Sequence, residues 1–311
     1  MNNKVEVLWS GGFDSTFMLC FLARNTKSLV QPYYLDIDRS IRRDERSSLS
    51  VLQKVMRRFP ELNNIRSVKI VPQKFFVPGN DVVSAWNKYS GEPYKIGGQQ
   101  KFISEFSKKH IGIAWGQERY FDTPGHMTRL LLEKGNWKFT SDGVGYFDKD
   151  VCDKDVFVLF GNLVCPIAKF SERMMWEKII EWGYRDIFRH IKFCYYPIDG
   201  KPCGMCIPCQ VKMRQKMDFL FDGNAVRRYE VYNHLKQNDR CCLDSVDKKD
   251  IALDVGNILL SDLFFMYFSP LYLKSWETRL GGKDNFLYRS FCLKVKKLIS
   301  LYEDYFNQLL N

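Results

Sequence analysis

Val5-Glu6-Val7-Leu8-Trp9-Ser10-Gly11-Gly12-Phe13-Asp14-Ser15-Thr16 decides how this chain begins to fold. Residues 5–9 form a short, mostly apolar run that stops at a glycine pair, the pattern of a buried strand entering a tight turn. Residues 15–24 (STFMLCFLAR) follow at once and are helix-compatible. Further along, residues 29–37 (LVQPYYLDI) read as a second strand and 44–58 as an amphipathic helix. Residues 68–71 read as a third strand, 99–109 as a helix and 111–115 as a fourth strand. Strands alternating with helices at this spacing predict an α/β fold, a parallel sheet with helices on both faces.

The remaining segments are less regular. Residues 72–98, dense in proline and glycine, read as a long loop near a site. Residues 118–125 read as loop and 137–156 as an excursion or hairpin. A helix over 174–183 is expected, capped by Ser171. From residue 210 the pattern is helical, with three or four helices to the end. This places one domain at 1–212 and a helical C-terminal extension at 213–311.

Composition narrows the function classes. Lys+Arg is 47 against 36 Asp+Glu in 311 residues, a net charge of +11, which suits an anionic ligand such as a nucleotide, phosphate or RNA. A hydrophobic content of 45% excludes wholesale disorder. The longest apolar stretch, 258–273, is broken by Ser261, Asp262, Ser269 and Pro270, so no membrane span is expected. The N-terminus lacks a signal-peptide layout, and a cytoplasmic chain is expected. A homodimer is compatible with this composition.

The glycine turn is the first motif with chemistry in it. Gly11 and Gly12 let the backbone bring N–H groups, including that of Phe13, close to an anion, and the following helix start adds positive potential. Ser10, Ser15 and Thr16 offer hydroxyl donors. Asp14 would repel a bare phosphate, so it reads as a cap or a magnesium ligand. The turn has neither the lysine of a Walker loop nor the spacing of a dinucleotide fingerprint. It resembles the SGGxDS pyrophosphate loop of the N-type ATP pyrophosphatases. The resemblance implies ATP and Mg2+ as cofactors and transfer of AMP to a substrate oxygen, with Ser10, Asp14, Ser15 and Lys169 at the chemistry. It also implies a nucleotide lying along Leu35 and Asp36 and under Arg43.

The second motif is Cys194-x8-Cys203-x2-Cys206-x2-Cys209. Four thiolates match tetrahedral zinc, and a filled shell makes the site structural. An iron–sulfur cluster and unligated thiols are the alternatives. The other cysteines (Cys20, Cys152, Cys165, Cys241, Cys242 and Cys292) read as small buried hydrophobes.

The stretch Phe193-Cys194-Tyr195 with Cys203-Gly204-Met205-Cys206-Ile207-Pro208-Cys209 resembles the zinc loop of the 7-cyano-7-deazaguanine synthases. Both motifs occur in that family's order, and the likeness covers residues 4–215. It implies a Rossmann-like sheet of the adenine nucleotide alpha hydrolase type. It also implies a carbon–nitrogen ligase that adenylates a 7-deazaguanine carboxylate before an amine captures it. Gln99, Gln100, Gln117 and His126 are the substrate-side residues this reading selects.

The chain departs from the family where Gly97-Gly98-Gln99-Gln100 replaces a Pro-Gly-Arg-Asn element. It departs again at Gly116-Gln117-Glu118-Arg119, at the shifted Lys169, and in continuing past the zinc loop. Relatives with such drift occur in bacterial anti-phage operons, so the expected acceptor is ammonia or an amine on a partner protein. A tRNA-modifying enzyme with the same loop and a catalytically silent scaffold are the competing readings.

Overall fold

A computed structural model describes residues 4–37, 42–118, 126–237 and 258–310. The side chains at 42–45, 47, 126, 278–279, 286–287 and 290 lie outside the description. Arg39, Cys241, Cys242 and most of the expected 118–125 loop therefore lie outside the described residues, as do the side chains of Arg43 and His126. The chain divides into two units, Met1–Lys192 and Phe193–Asn311.

The first unit runs β1 (Lys4–Leu8), α1 (Phe13–Asn25), β2 (Leu29–Asp36), α2 (Arg42–Met56), β3 (Lys69–Pro72), α3 (Asn80–Ser90), α4 (Gln99–Ser107) and β4 (Ile113–Ala114). It continues with α5 (His126–Glu133), β5 (Lys138–Phe139), β6 (Gly145–Tyr146), α6 (Lys154–Phe160), β7 (Leu163–Val164), α7 (Glu172–Glu181) and α8 (Arg185–Phe188). Five strands form one sheet in the order β3-β2-β1-β4-β7, and every pairing in it is parallel. Every residue of β2 from Val30 to Asp36 is buried, which requires cover on both sheet faces. The excursion expected at 137–156 contains the antiparallel hairpin β5–β6.

The strand order carries the functional consequence. From β1 the chain steps outward through β2 to β3, then returns to place β4 on the other side of β1. The loops leaving β1 and β4 therefore diverge at their carboxyl ends, the crevice where open parallel sheets take ligands.

Packing holds the α1 N-terminus beside that crevice. Phe17 stacks on Trp182 with centroids 5.5 Å apart and an interplanar angle of 7°, and meets the Phe170 edge at 5.4 Å. Aromatic pairs of this kind contribute about 0.5–1.5 kcal/mol each beyond their area. Ser171 caps α7, accepting from the Met174 N–H at 3.2 Å, which makes Glu172 the first residue of that helix.

Two sequence expectations change. The long loop at 72–98 contains α3, whose Val82, Ala85 and Tyr89 are buried at helical spacing. The prolines and glycines that suggested a loop flank the helix and do not interrupt it. Neither α6 nor β7 stood out in the sequence, because each is short and they adjoin without a strong turn signal.

The second unit contains the cysteine loop, α9 (Ile207–Arg214), α10 (Gly223–Gln237), α11 (Leu260–Phe268), α12 (Pro270–Arg279) and α13 (Phe286–Leu310). The division falls ahead of the 212/213 boundary expected from sequence. The reason is packing: Cys203, Met205, Cys206 and Cys209 share one hydrophobic core with Tyr232 and Leu235 of α10, Phe264 of α11 and Phe291 of α13. Among the described residues, no helix is long and apolar enough to cross a membrane.

Candidate functional site

The turn after β1 is closed by its own hydroxyls. Ser10 Oγ and Ser15 Oγ lie 3.0 Å apart, the Ser10 N–H donates to Ser15 Oγ at 3.3 Å, and the Gly12 N–H donates to Ser10 Oγ at 3.3 Å. Gly11 has φ +79°, and Leu49 Cδ2 and Ser48 Oγ of α2 would lie 3.1 and 3.2 Å from a Cβ there. Gly12 caps α1 with no side-chain bond, and the first helical closure is Thr16 N–H to the Gly12 carbonyl at 3.0 Å. The N–H groups ahead of it point out of the helix end, the arrangement that attracts anions.

Two residues of the motif face the other way. Thr16 is fully buried, and its hydroxyl accepts the Trp9 indole N–H at 3.0 Å. The expected phosphate donor is instead a core tie between β1 and α1. The Phe13 ring is also buried, edge-on to Phe188 with centroids 5.4 Å apart, so only its backbone belongs to the turn's open side.

Asp14 lies in the first turn of α1, whose N-cap is Gly12, and converges with two carboxylates from distant segments. One oxygen each from Asp14, Glu118 and Glu172 lie within 4.8 Å of one another. Glu118 is 3% exposed and Glu172 4%. Glu118 stands on the loop leaving β4 and Glu172 at the N-terminus of α7, so three separate segments meet at the α1 start. Three carboxylate oxygens this close could hold a hard cation, which takes oxygen ligands. Neither glutamate carries a spacing signal in the sequence: Glu118 and Glu172 stand only in stretches, 116–119 and Ser171-Glu172, that differ from the motifs the chain otherwise resembles.

The loop from β4 is held in place by Gln117 and Gly116. The Gln117 amide donates to the Glu118 carbonyl at 2.9 Å and to Thr128 Oγ1 of α5 at 3.2 Å. That side chain, expected to touch substrate, positions Glu118. A Cβ on Gly116 would lie 3.2 Å from both Ser15 Cα and Ser15 N, rigid backbone at the start of α1. Gly116→Ala is expected to pry the β4 loop from α1 and to destabilise the sheet unit by about 1–3 kcal/mol. Denaturant melts of the variant measure this, and an unchanged midpoint would refute the close contact.

The remaining expected residues scatter. Leu35 is buried in the core cluster, while Asp36 on the opposite face lies 3.8 Å from the Arg46 guanidinium of α2. Gln99 is exposed at the start of α4, but Gln100 is 1% exposed, with its amide nitrogen lacking a protein acceptor among the described residues. The two glutamines, both expected on the substrate side, therefore differ: one is exposed and the other buried. Lys169 is exposed on the hairpin side. Its ammonium lies 5.6 Å from the centre of the Phe139 ring, and its stem passes within 3.1 Å of a Cβ built on Gly143. The backbones of Arg43 and His126 lie in the first turns of α2 and α5.

The cysteines form the second centre. Their sulfurs lie within 4.8 Å of one another, with Cys203–Cys209 at 3.9 Å, Cys194–Cys206 at 3.8 Å and Cys206–Cys209 at 3.4 Å. Zinc–sulfur bonds of about 2.3 Å in a tetrahedron separate sulfurs by about 3.8 Å, so the four cysteines fit one metal ion such as zinc. Backbone N–H groups support the thiolates. Cys203 N–H reaches Cys194 Sγ at 3.2 Å, and Met205 and Cys206 N–H reach Cys203 Sγ at 3.3 and 3.2 Å. Cys206 is also the N-cap of α9, where the helix end favours a thiolate.

Outside this loop, burial pushes the Cys20 and Cys165 thiols up, as expected of buried core sulfurs, whereas Cys152 and Cys292, expected to be buried as well, are only partly so.

No protein-family model matches this chain, and no curated protein matches it in sequence. The site must therefore be read from its own geometry.

Proposed function

We propose that the chain is an ATP-dependent enzyme that adenylates the carboxylate of a 7-deazaguanine and passes the acyl group to ammonia or to a protein amine. The observation that carries this reading is the self-bonded Ser10–Ser15 turn at the β1/β4 divergence, with three carboxylates meeting at its helix start. An anion-attracting helix end beside a cation-attracting carboxylate trio suits a magnesium-bound polyphosphate. Neither feature alone would.

In the first step, a carboxylate oxygen attacks the α-phosphorus of ATP. The bond to the β-phosphate oxygen breaks, giving an acyl-adenylate and pyrophosphate. In the second, an amine attacks the acyl carbon, loses its proton, and AMP departs. A carboxylate is a poor electrophile, and the phosphate ester supplies the leaving group. In this reading the turn's backbone N–H groups and the Ser10 and Ser15 hydroxyls hold the departing pyrophosphate. Asp14, Glu118 and Glu172 would hold the cation that offsets its charge. The zinc centre takes no part in the chemistry, because four sulfurs leave no open position for water or substrate.

Incubating the protein with ATP, Mg2+ and 7-carboxy-7-deazaguanine is expected to release pyrophosphate. Asp14→Asn is expected to lower the rate by about 100-fold or more, the scale of losing a principal electrostatic contact. Absence of release, with and without hydroxylamine as a trapping amine, would sink the reading. Release that required tRNA in place of the deazaguanine acid would move the acceptor to RNA.

A further inference from the structure

The helices beyond the cysteine loop do more than follow it. Asp222 anchors the start of α10, accepting the Ala225 N–H at 2.8 Å, and it also lies 3.2 Å from Lys201 of the cysteine loop. The Ala225 carbonyl abuts the knuckle so closely that a Cβ on Gly204 would lie 2.1 Å from it. One turn further along α10, Arg228 is 7% exposed, and its Nε–H donates to the Cys203 carbonyl at 2.9 Å.

Four thiolates around a divalent ion leave a double negative charge in a buried place, which is costly without a counter-charge. Arg228 is a buried cation in contact with the backbone of a ligand cysteine. Lys212 is a second buried cation nearby, its ammonium 5.0 Å from the centre of the Phe193 ring.

We infer that Arg228 is the positioning residue through which the helical unit holds the metal, so that metal occupancy and the folding of α10 and α11 form one equilibrium. The extension is then the outer shell of the metal centre. This holds whether or not the sheet unit adenylates anything.

The test uses the full-length, zinc-loaded protein. Zinc release to the chelator 4-(2-pyridylazo)resorcinol is followed for wild type, Arg228→Met and Arg228→Lys. Losing an outer-shell partner typically costs about 10–100-fold in metal affinity, and Arg228→Met is expected to release zinc faster by that factor. Arg228→Lys keeps the charge and is expected to recover much of the loss, which a purely packing role would not produce. In wild type stripped of zinc, hydrogen exchange is expected to lose protection across α10 and α11 while β1, β2 and α1 keep theirs. Wild-type release from a folded Arg228→Met would overturn the inference. So would helices that stay protected after zinc is gone, and this arm decides the matter if Arg228→Met fails to fold.

Discussion

Gly204→Ala is expected to empty the metal centre and unfold the helical unit, whereas Gly200→Ala, in the same loop, should leave both in place. The two glycines have similar backbones, φ +85° and +76°. Each substitution forces a side chain into the left-handed region, at a cost of about 1 kcal/mol. Their surroundings separate them. A Cβ on Gly200 meets nothing within 4 Å, while one on Gly204 would sit 2.1 Å from the Ala225 carbonyl oxygen, 3.0 Å from its carbon and 3.4 Å from its Cα. All three atoms belong to helix backbone, so no rotamer change relieves the overlap.

Either α10 retreats, taking Arg228 from the Cys203 carbonyl, or the knuckle tilts and the sulfurs lose their common centre. The total cost should reach about 4 kcal/mol or more, the range reserved for a forced core rearrangement. Zinc stoichiometry by elemental analysis and a denaturant melt followed by circular dichroism measure both consequences. A Gly204→Ala protein that keeps its zinc and melts within about 1 kcal/mol of Gly200→Ala would show that the contact is soft.

Glu118→Gln should make the stability of the sheet unit indifferent to magnesium, where wild type gains from it. Asp14, Glu118 and Glu172 bring carboxylate oxygens within 4.8 Å of one another, with both glutamates buried. An amide in place of a carboxylate removes one anionic ligand from that set and weakens its hold on a hard cation. A cation that binds only the folded state adds about 2.7 kcal/mol when present at about 100 times its dissociation constant. Melts in chelator and in millimolar Mg2+ compare the two proteins. A wild-type protein whose stability ignores Mg2+, Mn2+ and Ca2+ alike would remove the cation from this site.

Much of the architecture was legible in local patterns. The apolar run ending at Gly11-Gly12 announces a buried strand and a turn, since a glycine pair after a strand has few other uses. The cysteine spacing announces a metal loop, because two short C-x2-C links already imply convergence of three sulfurs, and Cys194 lies nine positions ahead to supply a fourth. Ser171 announces the start of α7, because an N-cap needs only its own helix. Sequence neighbours decide each of these through geometry that spans a few residues.

What the sequence left open depends on which way side chains turn once the elements pack. Thr16 sits in a phosphate-like motif, yet it turns inward because Trp9, seven residues earlier at the end of β1, offers it an indole donor. Gln117 looks like a substrate contact, but Thr128 of α5 claims it. Asp14, Glu118 and Glu172 carry no mutual spacing signal, and only the placement of β4 beside β1 makes them a set.

By itself, then, the sequence settles the strand–turn–helix start and the four-cysteine loop, because their hydrogen bonds and ligand bonds close within short loops. The tertiary structure alone decides which acidic residues share a site and that the metal belongs with the helices. Both depend on packing between segments whose separation along the chain no local pattern records.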